Sequence, residues 1–271
     1  TKDSRAALVA AGGHVTADLY VETLRTCLPG AVCDVARPTD PDGGLPAGTG
    51  LGDYDGIAWT GSALNVYDRE PAVTRQIDLA KAAFASGVPI FGSCWGVQVA
   101  VVAAGGDVAL NPRGREFGIA RKITLTEAGR SHPLYHGKEA VFDAVAVHKD
   151  EVTRLPAGAT VLAGNAVSAI QAVEFTAGRS SFWGVQYHPE FDLPEIGSIA
   201  RRYADALVAE GFFEDGAAVD RFADLTAALR KSPSRRDIAW LLGADADVLD
   251  ERVRLAEIHN WIHRKVLPAR S

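Results

Sequence analysis

Cysteine is scarce in this sequence, and methionine is absent. The 271 residues include three cysteines, Cys27, Cys33 and Cys94. An odd number cannot all pair, and no two of them form a CxxC motif, which argues against a disulfide framework and against a zinc cage. We therefore expect free thiols in a reducing compartment, with no metal and no cofactor.

Long apolar runs and an excess of basic charge are also missing. No uninterrupted apolar stretch approaches the roughly 20 residues that a membrane-spanning helix needs, and the N-terminal residues lack the apolar core of a signal peptide. The formal net charge of −6 offers no basic surface to a nucleic-acid backbone. We predict a cytoplasmic protein that binds neither nucleic acid nor a membrane.

The first part of the chain alternates short apolar runs with longer amphipathic stretches. Residues 71–87 are typical of an amphipathic helix that ends at Gly87. The short runs predict buried strands at 6–12, 31–36, 55–61 and 88–92. Strands that alternate with helices favour a doubly wound, flavodoxin-like α/β fold with a mainly parallel sheet.

The pattern changes after residue 106. Successive strand-like runs with few helical intervals predict an antiparallel extension of the sheet, closed by a helix from about 194 to 210. We therefore assign residues 1–210 to one domain and residues 211–271 to a C-terminal extension of three helices. The apolar residues of its last helix either pack onto the main domain or form a docking or dimerisation surface. These residues are Val248, Val253, Ile258, Trp261 and Ile262.

Cys94 stands in the stretch FGSCWGVQ, between an apolar run and a helical pattern. A lone cysteine is most often a buried core residue. A side chain at a sharp turn from strand to helix, however, needs small neighbours two places away, and Gly92 and Gly96 meet that need. The N-terminus of a helix that starts at Trp95 would favour a thiolate, and the N–H of Trp95 could stabilise an oxyanion.

His188 is the best candidate for a base that would act with Cys94. It follows a buried strand in the stretch WGVQYHPEF, so it should emerge at the edge of the sheet where ligands bind. Glu190, two residues later, can hydrogen-bond one imidazole nitrogen and leave the other to take a proton from the thiol. The pattern indicates a nucleophile, a base and a group that orients the base.

The elbow and the HPE segment together resemble the class I glutamine amidotransferase family. The matching residues are Gly92, Cys94, Gly96 and Gln98, followed by His188, Pro189 and Glu190. The resemblance covers about residues 5–210. It implies a Cys94–His188–Glu190 triad that attacks the side-chain amide of glutamine, releases ammonia or an amine, and hydrolyses a γ-glutamyl thioester.

The same resemblance implies roles for four further residues. In the loop TGSALNVYD, Gly61 or Ser62 would supply the second oxyanion donor, although many family members have another glycine where Ser62 stands. Gln98 matches a glutamine that helps to bind substrate. His148, in VHKDEV, would lie beside the substrate, or would simply be a histidine at a strand end.

Three functions remain open at this stage. The first is a stand-alone hydrolase of γ-glutamyl amides, since the GSALNVYD loop and the lack of a synthetase domain resemble the branch with γ-glutamyl peptidases and γ-glutamyl-amine hydrolases. The second is a glutaminase subunit that supplies ammonia to a synthetase partner, and the third is a non-catalytic binding module. We expect a small-molecule γ-glutamyl substrate and either a synthetase partner or a homo-oligomer.

Overall fold

The computed structural model describes residues 2–269, which fold into helices packed around a sheet. The helices are α1 (Lys2–Ala10), α2 (Thr16–Cys27), α3 (Pro71–Ser86), α4 (Trp95–Ala103), α5 (Glu127–Ser131), α6 (Leu193–Arg202), α7 (Ala204–Ala209), α8 (Gly216–Lys231), α9 (Arg236–Leu242), α10 (Ala246–Leu249), α11 (Glu251–Arg254), α12 (Ala256–Trp261) and α13 (Leu267–Ala269). A π-helical turn, Ile262–Val266, joins the last two. Short 3₁₀ turns lie at Leu51–Asp53, Val66–Asp68 and Pro133–Tyr135.

The main sheet has seven strands in the order β1-β2-β9-β8-β7-β4-β5, and β3 pairs separately with β6. The strands are β1 (Ile57–Trp59), β2 (Ile90–Ser93), β3 (Asp107–Leu110), β4 (Glu116–Leu125), β5 (Val141–His148), β6 (Asp150–Arg154), β7 (Thr160–Gly164), β8 (Ala172–Ala177) and β9 (Ser180–Val185). The β1–β2 and β2–β9 pairs are parallel, and the others are antiparallel. Five of the seven strands therefore point the same way. The predicted α/β fold with an antiparallel extension is confirmed.

Two of the predicted strands are wrong. Residues 6–12 belong mostly to helix α1, and residues 31–36 have no regular structure. A short apolar run is compatible with either helix or strand, and the alanines of the first run favour a helix. In the second run Val32 is 93% exposed, so its apolar side chain gains no burial from a sheet. The purely parallel part of the sheet is therefore β1, β2 and β9.

Separate hydrophobic clusters cover the two faces of the sheet. Adjacent residues of a strand point to opposite faces, so in β2 Ile90 packs toward α3 and α4 while Phe91 packs toward α2 and α12. β9 repeats the alternation with Phe182 and Trp183. This burial fixes the register of β2 against β9, and hence the heights at which the two strands end.

The C-terminal helices pack onto the same core as the sheet. Ile258, Trp261 and Ile262 are almost completely buried, and the Trp261 ring centroid lies 5.8 Å from that of Phe91 in β2. Of the two interpretations of this helix, packing onto the main domain is therefore the correct one for these three residues. The division into domains at residue 210 stays a prediction. Within residues 2–269, no helix combines the length and the apolarity needed to cross a bilayer.

Replacing Trp261 by alanine should destabilise the whole fold, because the ring is 3% exposed and packs on β2. We expect Trp261→Ala to lower the free energy of unfolding by about 3 to 5 kcal/mol, measured by urea denaturation. Trp240→Ala is the matched control, because Trp240 is 87% exposed. That variant should stay within about 0.5 kcal/mol of the parent. Equal effects of the two substitutions would contradict the packing.

Candidate active site

Cys94 occupies a strained turn between strand β2 and helix α4. Its backbone angles are φ 50° and ψ −102°, well outside the helical and extended regions that side chains prefer. Such a conformation costs about 1 to 3 kcal/mol and persists only where the surroundings enforce it. The turn places the Cys94 side chain at the carboxyl end of β2, directly before the N-terminus of α4.

Glycines on both sides of Cys94 make this turn sterically feasible. A Cβ atom on Gly92 would lie 2.7 Å from the carbonyl carbon of Gly96. A Cβ atom on Gly96 would collide with the backbone oxygen of Trp59 in β1. The two small neighbours that the sequence predicts are therefore required by contacts with the backbone, which cannot move aside as a flexible side chain can.

His188 and Glu190 lie at the carboxyl end of β9, the strand beside β2. Glu190 Oε1 is 2.8 Å from His188 Nδ1. The His188 backbone N–H donates to Val145 O at 2.8 Å. His188 and Glu190 are each 2% exposed. The Glu190 carboxylate therefore fixes the plane of the imidazole and leaves Nε2 free for another partner.

The charge of this pair is set by its buried surroundings. Burial lowers the pKa of His188, but the negative charges of Glu190 and Cys94, together with hydrogen bonds to both, outweigh burial and raise that pKa to about 10. His188 is therefore protonated at neutral pH. A protonated imidazole beside a cysteine sulfur is the environment in which nucleophilic cysteines are found.

Sequence reasoning missed two side chains that hold these groups. The Phe191 ring stacks on the His188 imidazole with centroids 4.1 Å apart and an interplanar angle of 5°. Tyr20 on α2 shares a hydrogen bond of 2.9 Å with Ser93 Oγ, next to Cys94. Phe191 directly follows the HPE segment, so its position could have been noticed, whereas nothing local to Tyr20 indicates its partner.

Gly61 follows β1 and packs against the imidazole. A Cβ atom on Gly61 would lie 2.7 Å from His188 Cε1. The adjacent Ser62 accepts a hydrogen bond from the Leu64 N–H through its Oγ, at 3.3 Å. Because β1, β2 and β9 are parallel neighbours, the residues that follow them meet at one edge of the sheet. This explains why Gly61, Cys94 and His188 come together.

A cavity of about 470 Å³ opens at this edge. Its wall contains seven of the predicted site residues, namely Gly61, Ser62, Cys94, Trp95, Gln98, His148 and His188. Glu190 lies behind His188 and does not contribute to the wall. Gln98 is 3% exposed and its Nε2 donates to Gln186 Oε1 at 3.4 Å. Its predicted contact with substrate stays a prediction.

His148 is engaged at both ring nitrogens by groups of the protein itself. Its Nε2 is 2.9 Å from Glu116 Oε2, and its Nδ1 is 3.0 Å from Asp150 O. Gln171 and Asn165 also donate to the Glu116 carboxylate. Burial raises the pKa of Glu116, but its contacts with His148, Asn165 and Gln171 outweigh burial and lower that pKa overall. This arrangement suits a histidine that supports the cavity wall. Direct contact between His148 and substrate stays a prediction.

The elbow, the histidine–glutamate pair and the sheet edge agree with the family that the sequence resembles. The family model for class I glutamine amidotransferases matches residues 34–200. The chain belongs to this family.

Relatives within the class I glutamine amidotransferase family include two kinds of enzyme. A gamma-glutamyl-L-1-hydroxyisopropylamide hydrolase from a Pseudomonas species is 41% identical over 87% of this chain and 80% of its own length. A glutamine-hydrolysing GMP synthase of Thermomicrobium roseum is 29% identical over 79% of this chain, but this match spans only 37% of the synthase. The predicted resemblance to the hydrolase branch of the family is confirmed by the first relative.

The fold is similar to that of a solved structure. A glutamine amidotransferase from Thermotoga maritima superposes with a TM-score of 0.56 and covers 80% of this chain and 82% of its own. At 18% identity, this likeness concerns the fold alone.

Glu190 raises the pKa of His188, so removing its charge should lower that pKa. We expect Glu190→Gln to shift the His188 titration below its value of about 10. The raised pKa stabilises the fold fully below about pH 6.5, and that contribution is lost as the pH rises through about 10. NMR titration of the imidazole measures the shift. Glu195→Gln is the control, because buried Glu195 bonds a different histidine, His14. An unchanged titration in Glu190→Gln would contradict this account.

Gly61 should not tolerate a side chain, because a Cβ atom would push the His188 ring from its position. We expect Gly61→Ala to slow the alkylation of Cys94 by iodoacetamide by about tenfold or more, since small displacements of a reacting group have large effects. Mass spectrometry of the Cys94 peptide gives the rate. Gly44→Ala is the control, because within residues 2–269 no atom other than those of the adjacent residues lies within 4 Å of the added Cβ. Equal rates in the two variants would refute the proposed contact.

Proposed function

We propose that this protein hydrolyses γ-glutamyl amides through a thioester on Cys94, with His188 as acid and base and Glu190 as the group that orients it. The observation that carries the proposal is the convergence of a strained nucleophile turn and a charged, buried His188–Glu190 pair on one cavity. A core cysteine needs neither feature. The relationship to an amide hydrolase at 41% identity supports the same chemistry.

In the first half of the reaction, the Cys94 sulfur anion attacks the amide carbon of the substrate. The negative charge that develops on the carbonyl oxygen is stabilised by the N–H of Trp95 and by the N–H of Gly61 or Ser62. The C–N bond then breaks, and the His188 imidazolium gives its proton to the departing nitrogen. The products of this half are a free amine, or ammonia, and a γ-glutamyl thioester on Cys94.

In the second half, water hydrolyses the thioester. The neutral His188 takes a proton from the water as the oxygen attacks the thioester carbon, and the same N–H groups stabilise the second oxyanion. The C–S bond breaks, which releases glutamate and restores the sulfur anion beside a protonated His188. Glu190 holds the imidazole through Nδ1 throughout.

The cavity suits a small zwitterionic substrate. Its wall carries basic side chains, including Lys149 and Arg202, as well as the carboxylates of Asp34 and Asp150. Groups of both signs can bind the α-carboxylate and α-amino group of a γ-glutamyl compound. The curated relatives support this class, since one acts on a γ-glutamyl amide by name and another is a gamma-glutamyl peptidase of Arabidopsis thaliana, 27% identical over 65% of this chain.

Action as a stand-alone hydrolase is favoured over supply of ammonia to a synthetase. The hydrolase relative is 41% identical and is matched over 80% of its length, whereas the GMP synthase is 29% identical and is matched over 37% of its length. An ammonia-supplying subunit would show low glutaminase activity alone and more activity with its partner.

The proposal is tested by assaying the purified protein on glutamine, γ-glutamyl peptides and γ-glutamyl amines, with released amine and glutamate measured. We expect substituted amides to be hydrolysed by the protein alone, and Cys94→Ala to remove turnover while it leaves the fold intact. A γ-glutamyl electrophile should label Cys94 alone.

Cys27→Ala and Cys33→Ala are matched controls that should retain activity. Cys27 is buried and Cys33 is partly buried, and burial raises the pKa of both thiols, so both are poor nucleophiles. Labelling of Cys27 or Cys33 in place of Cys94, or turnover that survives in Cys94→Ala, would overturn the assignment of the site.

A further inference from the structure

A buried arginine of the C-terminal helices contacts the segment that carries His188. Arg254, at the end of α11, donates from Nη1 to Pro189 O at 2.8 Å. Pro189 lies between His188 and Glu190, so this hydrogen bond holds the backbone at the centre of the catalytic segment. Arg254 is 9% exposed, and a buried guanidinium requires such partners.

Arg254 also supplies positive charge close to Glu190. Burial lowers the pKa of Arg254, while the negative charges of Asp192, Glu251 and Glu190 oppose this effect. Glu190 uses Oε1 to bind His188, and among the described residues no hydrogen-bond partner reaches its Oε2. The His188 imidazolium is the direct cationic partner of this carboxylate, and the Arg254 guanidinium adds positive charge from the other side of Pro189.

A second contact holds the residue on the other side of His188. The Tyr187 hydroxyl donates to Glu257 Oε1 at 2.7 Å. The same oxygen accepts from Lys138 Nζ at 2.8 Å, and the Lys138 and Glu257 side chains are 1% and 0% exposed. Tyr187 immediately precedes His188, so the C-terminal helices contact the chain both before and after the catalytic histidine.

Arg254 ends α11 and Glu257 lies in the next helix, α12, beyond a one-residue break at Leu255. Asn260 follows after three more residues and donates from Nδ2 to the backbone oxygens of Leu134 and His136, at 2.9 and 2.8 Å. Buried polar contacts from Arg254, Glu257 and Asn260 therefore attach these two helices to the rest of the protein. Arg254 and Glu257 contact the segment 187–190, whereas the two hydrogen bonds of Asn260 go to residues 134 and 136.

We propose that Arg254 and Glu257 are positioning residues that hold the segment 187–190 in its reactive geometry, Arg254 through Pro189 O and the charge of Glu190, and Glu257 through the Tyr187 hydroxyl. This inference rests on the proposed function of Cys94 and His188. The physical reason is that a catalytic imidazole must stay within a fraction of an ångström of its productive position, and these two contacts restrict the backbone on both sides of it. The C-terminal extension thus takes part in catalysis indirectly.

The test compares Arg254→Met with Arg254→Lys. Methionine keeps much of the apolar bulk but removes the charge and the donor, so we expect kcat to fall by about tenfold or more with little change in KM, as for loss of an interaction that acts in the transition state. Lysine keeps one donor and the charge and should restore most of the activity. Wild-type kcat in a folded Arg254→Met variant would overturn the proposal.

Asn260→Ala is the matched control. It removes two buried hydrogen bonds of the neighbouring helix α12, but neither reaches the segment 187–190. We expect a lower Tm with an unchanged kcat. If Asn260→Ala and Arg254→Met lower kcat in the same proportion to their loss of stability, the role of Arg254 is structural and the proposal is wrong.

Two further readouts keep the outcome independent of the substrate. The rate of Cys94 alkylation by iodoacetamide and the downfield NMR signal of the His188 ring proton should both change in Arg254→Met and not in Asn260→Ala. If the wild-type protein hydrolyses no γ-glutamyl compound, the proposed function fails, and these two readouts still decide the positioning role.

Should Arg254→Met not fold, Tyr187→Phe replaces it. This variant removes only the hydroxyl that binds Glu257 and Tyr135. We expect a smaller fall in kcat, about two- to fivefold, with KM retained. A kcat equal to that of wild type would then count against the proposal.

Discussion

The backbone conformation of Cys94 is the constraint on which the rest of the site depends. With φ at 50°, the chain turns from β2 into α4 within one residue, which directs the thiol outward and the first N–H groups of the helix toward the same point. Elsewhere the fold must accommodate this strained turn. It does so through the close approach of Gly92 to Gly96 and of Gly96 to the backbone of Trp59.

The strained turn can act in catalysis only together with the His188 imidazole. Burial of that imidazole opposes its positive charge. Glu190 and the Cys94 sulfur overcome the cost of burial and raise the pKa of His188 to about 10. A buried carboxylate is itself costly, and the one at Glu190 has a second oxygen that no hydrogen bond reaches within the described part of the chain. The negative charge of Glu190 thus connects the catalytic segment to the Arg254 guanidinium.

Local sequence predicts the parts of this site that have local causes. The two glycines, the cysteine and the HPE segment carry their geometry in a few adjacent residues, so the elbow and the His188–Glu190 pair could be predicted from residue types and spacing. The strands from residue 55 onward, with their alternating or continuous apolar runs, could be predicted for the same reason. The runs at 6–12 and 31–36 look similar, yet neither forms a strand: the first is mostly helix, which its alanines favour, and in the second Val32 is exposed and gains no burial.

The parts that sequence could not predict arise from contacts between distant segments. His148 illustrates this, because Glu116, 32 residues away, binds its ring, and nothing in the local sequence indicates that partner. Arg254 lies 65 residues from Pro189, and nothing near it in the sequence distinguishes it from a surface arginine on an amphipathic helix. Once the fold is known, its burial and its carbonyl partner separate it from surface arginines, since a guanidinium is rarely removed from water unless fixed groups replace its hydration. The C-terminal helices are therefore best understood as part of the support of the active site, even though their sequence carries no motif.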